Sequence, residues 1–144
     1  MVLGVSTRRY ARSLEPLPQA VEVRCISKSA ISERFVIGTQ RRLAELMRRE
    51  LSGLKLVALL IDGMHFAEHV VLAAVGIDSS GKKHPLGLRE GATENAAASK
   101  ALLEDLIERG LHPNRAILVV IDGAKALRRV VLDTFGERAL IQRC

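Results

Sequence analysis

An α/β fold built on a mixed sheet is what this sequence predicts, and three observations carry the prediction. Residues 56–61, 70–77 and 116–121 are continuous apolar runs rich in Val, Ile and Leu, the pattern of buried strands. Stretches of helical period stand between the later runs. Only turn signals separate the earlier ones, so tight connections give way to helical crossovers, and the sheet has to combine antiparallel with parallel pairs.

Each element follows from local chemistry. Residues 7–14 read as a short helix carrying Arg8, Arg9 and Arg12, stopped by Pro16 and Pro18. Ser27, Lys28 and Ser29 offer N-caps for a longer helix reaching about Leu51, with Ile31, Phe35, Leu43, Leu46, Met47 and Leu51 on one apolar face and Gly53 closing it. Residues 56–61 and 70–77 are strands whose composition suits burial on both faces. Asp78-Ser79-Ser80-Gly81 is a turn, and residues 84–88, interrupted by Pro85, fit a short edge strand. Thr93 or Asn95 caps the next helix, whose apolar face is Ala98, Ala101, Leu102, Leu106 and Ile107 and which stops at Arg109-Gly110. Another buried strand covers residues 116–121. A second helix carries Leu127, Val130 and Val131 and ends near Gly136, and residues 139–142 begin a last strand. The chain order is therefore β-β-β-α-β-α-β, preceded by a helical segment, with residues 1–53 and 54–144 as the two expected domains.

Composition narrows the function classes. With 48% hydrophobic and 26% charged residues, the 144-residue chain can bury one ordinary core and is not of disordered type. No apolar run approaches the roughly 20 residues of a bilayer span, and the start lacks a signal-peptide stretch, so the expected compartment is the cytoplasm. Cys25 and Cys144 alone give no disulfide framework. The net charge of +6 is uneven: residues 1–51 hold ten Lys/Arg against five Asp/Glu, and residues 52–144 twelve against eleven. A basic segment of this kind points to nucleic acid or to simple solubility. Tyr10, Phe35, Phe66 and Phe135 are the only aromatics and build no stacking platform from sequence neighbours, so duplex DNA held by its phosphates is the expected nucleic-acid partner. Residues 7–35 fit a helix-turn-helix whose second helix opens at Ser27-Lys28-Ser29, which makes Arg8, Arg9, Arg12, Lys28 and Arg34 the candidate DNA contacts. A plain cap with a solvated face is the commoner meaning of the same residues.

Two aspartates carry the clearest chemical signal. Leu59-Leu60-Ile61-Asp62-Gly63 and Val119-Val120-Ile121-Asp122-Gly123 each place a carboxylate directly after a buried run. A strand end is rigid and faces the rim where open sheets bind ligands, so neighbouring strands would let Asp62 and Asp122 share one divalent ion. Magnesium takes such hard oxygens and keeps positions for phosphate, the requirement of phosphodiester cleavage. Asp-Gly is also ordinary turn chemistry. His65-Phe66-Ala67-Glu68-His69 matches the His-x-x-Glu-His pattern of one class of zinc peptidases. That motif needs a helix, where residues four apart come within roughly 6 Å. Extended chain puts them roughly 13 Å apart, and the flanking strands leave no room for a helix, so histidines of a hairpin connection are the expectation. Gly87, Gly91 and Gly110 fall at turns or caps and form no phosphate-cradling loop.

Five linked motifs resemble the Mutator-type bacterial insertion-element transposases. They are Leu56-Val57-Ala58-Leu59-Leu60-Ile61-Asp62-Gly63, Leu86-Gly87-Leu88-Arg89-Glu90-Gly91-Ala92-Thr93-Glu94-Asn95, Glu108-Arg109-Gly110-Leu111, Val120-Ile121-Asp122-Gly123-Ala124-Lys125-Ala126-Leu127 and Gln142-Arg143-Cys144. The likeness covers residue 54 to the end closely and the N-terminal segment more loosely. It implies a ribonuclease H-like core, with which the β-β-β-α-β-α-β order agrees. In that core Asp62 and Asp122 are catalytic and hold Mg2+ or Mn2+ together with a later glutamate. Double-stranded DNA, the element's terminal repeats, is the implied partner. In similar proteins Gln-Arg-Cys leads on to a Cys-x-x-His motif and then the glutamate; this sequence stops at Cys144, and Glu137, the only acid after Asp133, belongs to a loop. The expectation is an incomplete ribonuclease H-like mixed sheet, incomplete also as a catalyst. The alternative is a non-catalytic DNA-binding fragment that modulates an intact transposase, as a homo-oligomer or in mixed oligomers, and the remote one is the zinc peptidase.

Overall fold

The computed structural model describes residues 28–144. The expected helix over residues 7–14, with Arg8, Arg9 and Arg12, lies outside the described residues, as does Cys25. The chain divides between Glu45 and Leu46 into two units. Helix α1 (Lys28–Arg48) is the described element of the first and lends its last turn to the second.

α1 stops at Arg48, short of the expected Leu51. The cause is Leu51 itself, which leaves the helical path to become a core residue, 1% exposed, with its N–H donating to the Arg109 carbonyl at 2.6 Å. Burying such a side chain is worth about 2 kcal/mol, more than one further residue of helix contributes. Of the expected apolar face, Phe35 and Leu43 are exposed, and Leu46 and Met47 are half-buried.

The second unit is α/β. It runs β1 (Leu56–Phe66), β2 (His69–Asp78), β3 (Lys83–Glu90), α2 (Ala96–Glu108), β4 (Ile117–Ile121), α3 (Lys125–Phe135), a 3-10 turn (Gly136–Arg138) and β5 (Ala139–Arg143). The five strands form a mixed sheet ordered β3-β2-β1-β4-β5. β1, β2 and β3 pair antiparallel in sequence, and β1 with β4 and β4 with β5 pair parallel. Pro85, which has no N–H for a ladder, sits on the edge strand β3 opposite Val75, beside a register shift.

Burial on both sheet faces, expected from the unbroken apolar runs, is not observed within this unit. Leu59, Ile61, Leu72, Ala74, Val119 and Ile121 are buried on one face, whereas their alternating neighbours Leu60, Ala73, Val75, Leu118 and Val120 are half-buried on the other. The reason is topological. The connections β3–α2–β4 and β4–α3–β5 both join parallel strands and move across the sheet in the same direction, so right-handed crossovers put both helices on one side. There α2 and α3 pack on each other and on the strands, burying Leu102, Leu103, Leu106, Leu127, Val131 and Phe135. The α2 face is rotated from the expected one: Ser99 and Leu103 are buried, and Ala101 and Ile107 are half-buried, because α2 must meet α3 as well as the sheet. Asn95, not Thr93, caps α2, its Oδ1 accepting from the N–H groups of Ala97 and Ala98 at 3.0 and 3.2 Å. Among the described residues no helix is long and apolar enough to cross a membrane.

Arg109, at the C-cap of α2, ties three segments together. Its side chain is 10% exposed and donates to Asp105 Oδ2 (2.6 Å), to the Leu86 carbonyl on β3 (2.8 Å) and to the Leu46 carbonyl (3.1 Å). Gly110 follows with φ 99°, and a β-carbon there would collide with Ser52, so the left-handed cap also lets the 50–54 segment close over the helix end. Arg109→Ala removes the donor to Asp105 and to the carbonyls of Leu46, Arg49 and Leu86 and is expected to cost about 3 kcal/mol in urea unfolding, with Arg109→Lys recovering only part for lack of the planar fork. A loss below about 1 kcal/mol, the level of an exposed pair, contradicts this role.

The β2–β3 turn is organised by Asp78. His84 Nε2 lies 2.7 Å from Asp78 Oδ2, while Oδ1 accepts from the Ser80 hydroxyl and amide (2.6 and 2.8 Å) and the Lys82 amide (3.1 Å). His84 first, then Ser80, hold the Asp78 carboxyl well below the usual carboxylate range. A lowered folded-state value means stability that is fully present above the unfolded value and lost as pH falls through the folded one. The urea midpoint of the natural chain is therefore expected to exceed that of Asp78→Ala by a constant margin down to about pH 4 and to converge with it in stronger acid.

Candidate functional site

The site grows from one register. β1 and β4 run parallel with Leu59 opposite Val119 and Ile61 opposite Ile121. Asp62 and Asp122 are the next residue on each chain, so they leave the ladder side by side, starting about 5 Å apart, the spacing of neighbouring strands. Ile61 and Ile121 are both buried under the helices, and alternation turns the two following positions to the opposite face. Asp62 is exposed and Asp122 half-buried.

Asp62 does not end its strand, as the sequence suggests. β1 continues through Gly63 to Phe66, and Asp62 is paired with Ala73 of β2, so Asp62-Gly63 is not a turn. The apolar run marks only the part of β1 flanked on both sides; beyond Ile61 the strand is held by β2 alone, where exposed polar residues are compatible with strand. Asp122 does follow its strand, and its Oδ1 accepts from the Ala124 N–H at 3.0 Å, turning the chain toward α3. Asp62 Oδ1 faces the Gly63 N–H at 2.9 Å. Each carboxylate is thus oriented through one oxygen by nearby backbone, which leaves the other for a ligand. Among the described residues no group of three or more His, Cys, Asp or Glu side chains gathers to hold a metal.

β5 closes the rim. Arg143 is the register partner of Ile121, and the Cys144 N–H donates to the Ile121 carbonyl at 2.9 Å. The Arg143 guanidinium lies across Gly123, the residue after Asp122, where a β-carbon would overlap Nε, Cζ and Nη2. In the sequence Arg143 stands within the Gln142-Arg143-Cys144 motif with no role of its own; the signal for one is a cation ending the third of three parallel runs.

Of the candidate DNA contacts, Arg34 is exposed on α1 and Lys28 is its first residue. Arg8, Arg9 and Arg12 lie outside the described residues.

The His65 to His69 segment is a hairpin, not the helix a zinc peptidase needs. Phe66 pairs with His69 and His65 with Val70 across a two-residue loop, Ala67-Glu68, in which Ala67 has φ 51°. Adjacent positions point to opposite faces, so the two histidines, each matched to a different partner pair, cannot share an ion. His69 instead contacts Glu90 of β3, Nδ1 to Oε1 2.8 Å. Replacing both histidines by alanine is expected to leave the zinc content of purified protein unchanged by elemental analysis; loss of one zinc per chain in the double variant overturns this.

With the fold and rim defined, comparison with known proteins gives the class. The family described as Transposase, Mutator family, matches residues 1–144. The chain belongs to this transposase family, and transposition is the general activity to which its residues relate. No match among curated proteins accompanies it.

Proposed function

We propose that the sheet unit is the ribonuclease H-like catalytic core of the transposase, that Asp62 and Asp122 hold a divalent ion, Mg2+ or Mn2+, and that residues 1–53 grip duplex DNA at the element's terminal repeats. The observation that supports the metal site is the parallel register that sets the two aspartates side by side on one sheet face. Their donor set fits: two carboxylates supply hard oxygens, and an exposed rim leaves positions for phosphate oxygens. Bound there, the ion supplies activation of the attacking oxygen for phosphodiester cleavage and strand transfer. Asp62, on the longer strand, would present its oxygens from a rigid ladder, and Asp122 from a turn fixed by Ala124. DNA binding is supported by the ten Lys/Arg against five Asp/Glu of residues 1–51.

Two measurements test the two halves. Calorimetric titration with Mn2+ is expected to show weak binding that is abolished in Asp62→Asn and in Asp122→Asn while the urea midpoint is maintained; binding that survives either change refutes the metal site. Joint replacement of Arg8, Arg9, Arg12, Lys28 and Arg34 by alanine is expected to weaken duplex binding by orders of magnitude at moderate salt and to flatten its salt dependence. Duplex binding by a chain that takes up no Mn2+ would favour the non-catalytic reading.

A further inference from the structure

We propose that Arg143 binds a backbone phosphate of the DNA strand lying across this rim, and that residue 123 is glycine to leave the guanidinium its place. The inference rests on the reading of Asp62 and Asp122 as the phosphodiester-cleaving pair, and it adds a residue that this reading does not use.

Three observations carry it. The first is position: β1, β4 and β5 are consecutive strands, Asp62 and Asp122 follow the paired Ile61 and Ile121, and Arg143, the register partner of Ile121, starts one residue before their level and carries its guanidinium forward across Gly123, the residue after Asp122. A strand of DNA whose scissile phosphate sits at the two carboxylates passes β5 on one side. The second is electrostatic. Two carboxylates repel the phosphates that flank the reacting one, and Arg143 is the cation at the end of the next strand; among the described residues it makes no ion pair. A planar guanidinium with paired donors matches phosphate in a way an ammonium does not.

The third is Gly123. Its backbone has no positive φ, so conformational freedom does not account for glycine there. The three atoms that a β-carbon there would meet first all belong to the Arg143 guanidinium, the far end of a flexible chain and not backbone. A β-carbon at 123 therefore presses on a side chain that can move, and it displaces the guanidinium from its seat across Gly123. The Asp-Gly pair after β4 thus has a use beyond turn chemistry.

The test uses the full chain and a duplex carrying an element end, with affinity measured across a salt series. Arg143→Ala is expected to weaken binding several-fold and to reduce the slope of log K against log salt by about one, the signature of one lost phosphate contact. Arg143→Lys should keep the slope and lose part of the affinity. Gly123→Ala, which retains every charge, should weaken binding toward the Arg143→Ala level, and the double variant should be no worse than Arg143→Ala, because both changes remove the same contact. Urea midpoints serve as the control, and should Arg143→Ala prove unstable, the Lys and Gly123→Ala variants decide the matter. Unchanged affinity and slope in Arg143→Ala overturn this inference alone, with duplex and Mn2+ binding intact. A natural chain that binds no duplex at all overturns both it and the proposed function.

Discussion

Parallel pairing of β1 with β4 is the constraint from which the remaining geometry follows. β1 is the middle strand of the sheet, antiparallel to β2 on one side and parallel to β4 on the other, and it joins the hairpin half of the fold to the crossover half. Its register sets Ile61 against Ile121, both under the helices. Because side chains alternate with period two, a slip of one residue would turn one aspartate into the apolar core and expose an isoleucine in exchange, so hydrophobic burial on one face enforces the alignment of carboxylates on the other. The chemistry of the rim is in this sense a by-product of core packing.

Local propensity and tertiary demand disagree at the entry to this sheet, and tertiary demand prevails. Leu51 fits the face of a continued helix, yet it is drawn into the core, and the departure is stabilised by the Arg109 carbonyl, the Arg109 guanidinium and the left-handed Gly110. A basic residue and a glycine at a helix end are usual cap chemistry. Here the same two residues also fasten the preceding segment and the edge strand to α2.

The rim combines opposite charges in sequence: acid on β1, acid after β4, cation on β5. Each comes from a strand held by a different set of neighbours, and no local motif contains more than one of them. Gly123 links the last two, since the space it leaves is where the Arg143 side chain lies. Such an arrangement depends on strand order and register more than on any single loop.

By itself the sequence determined the positions of the five strands and two sheet helices, the Asp78 turn and the edge character of the Pro85 strand, because period, turn chemistry and apolar runs are properties of near neighbours. It also carried the linked motifs that mark a Mutator-family transposase. Tertiary structure alone decided that β1 runs on through Asp62 to Phe66, that one sheet face is covered within the unit and the other is not, that His65 and His69 face apart, and that Arg143 lies across Gly123. Each of these depends on which strand pairs with which and in what register, and on the hand of the crossovers, quantities set by contacts between residues tens of positions apart.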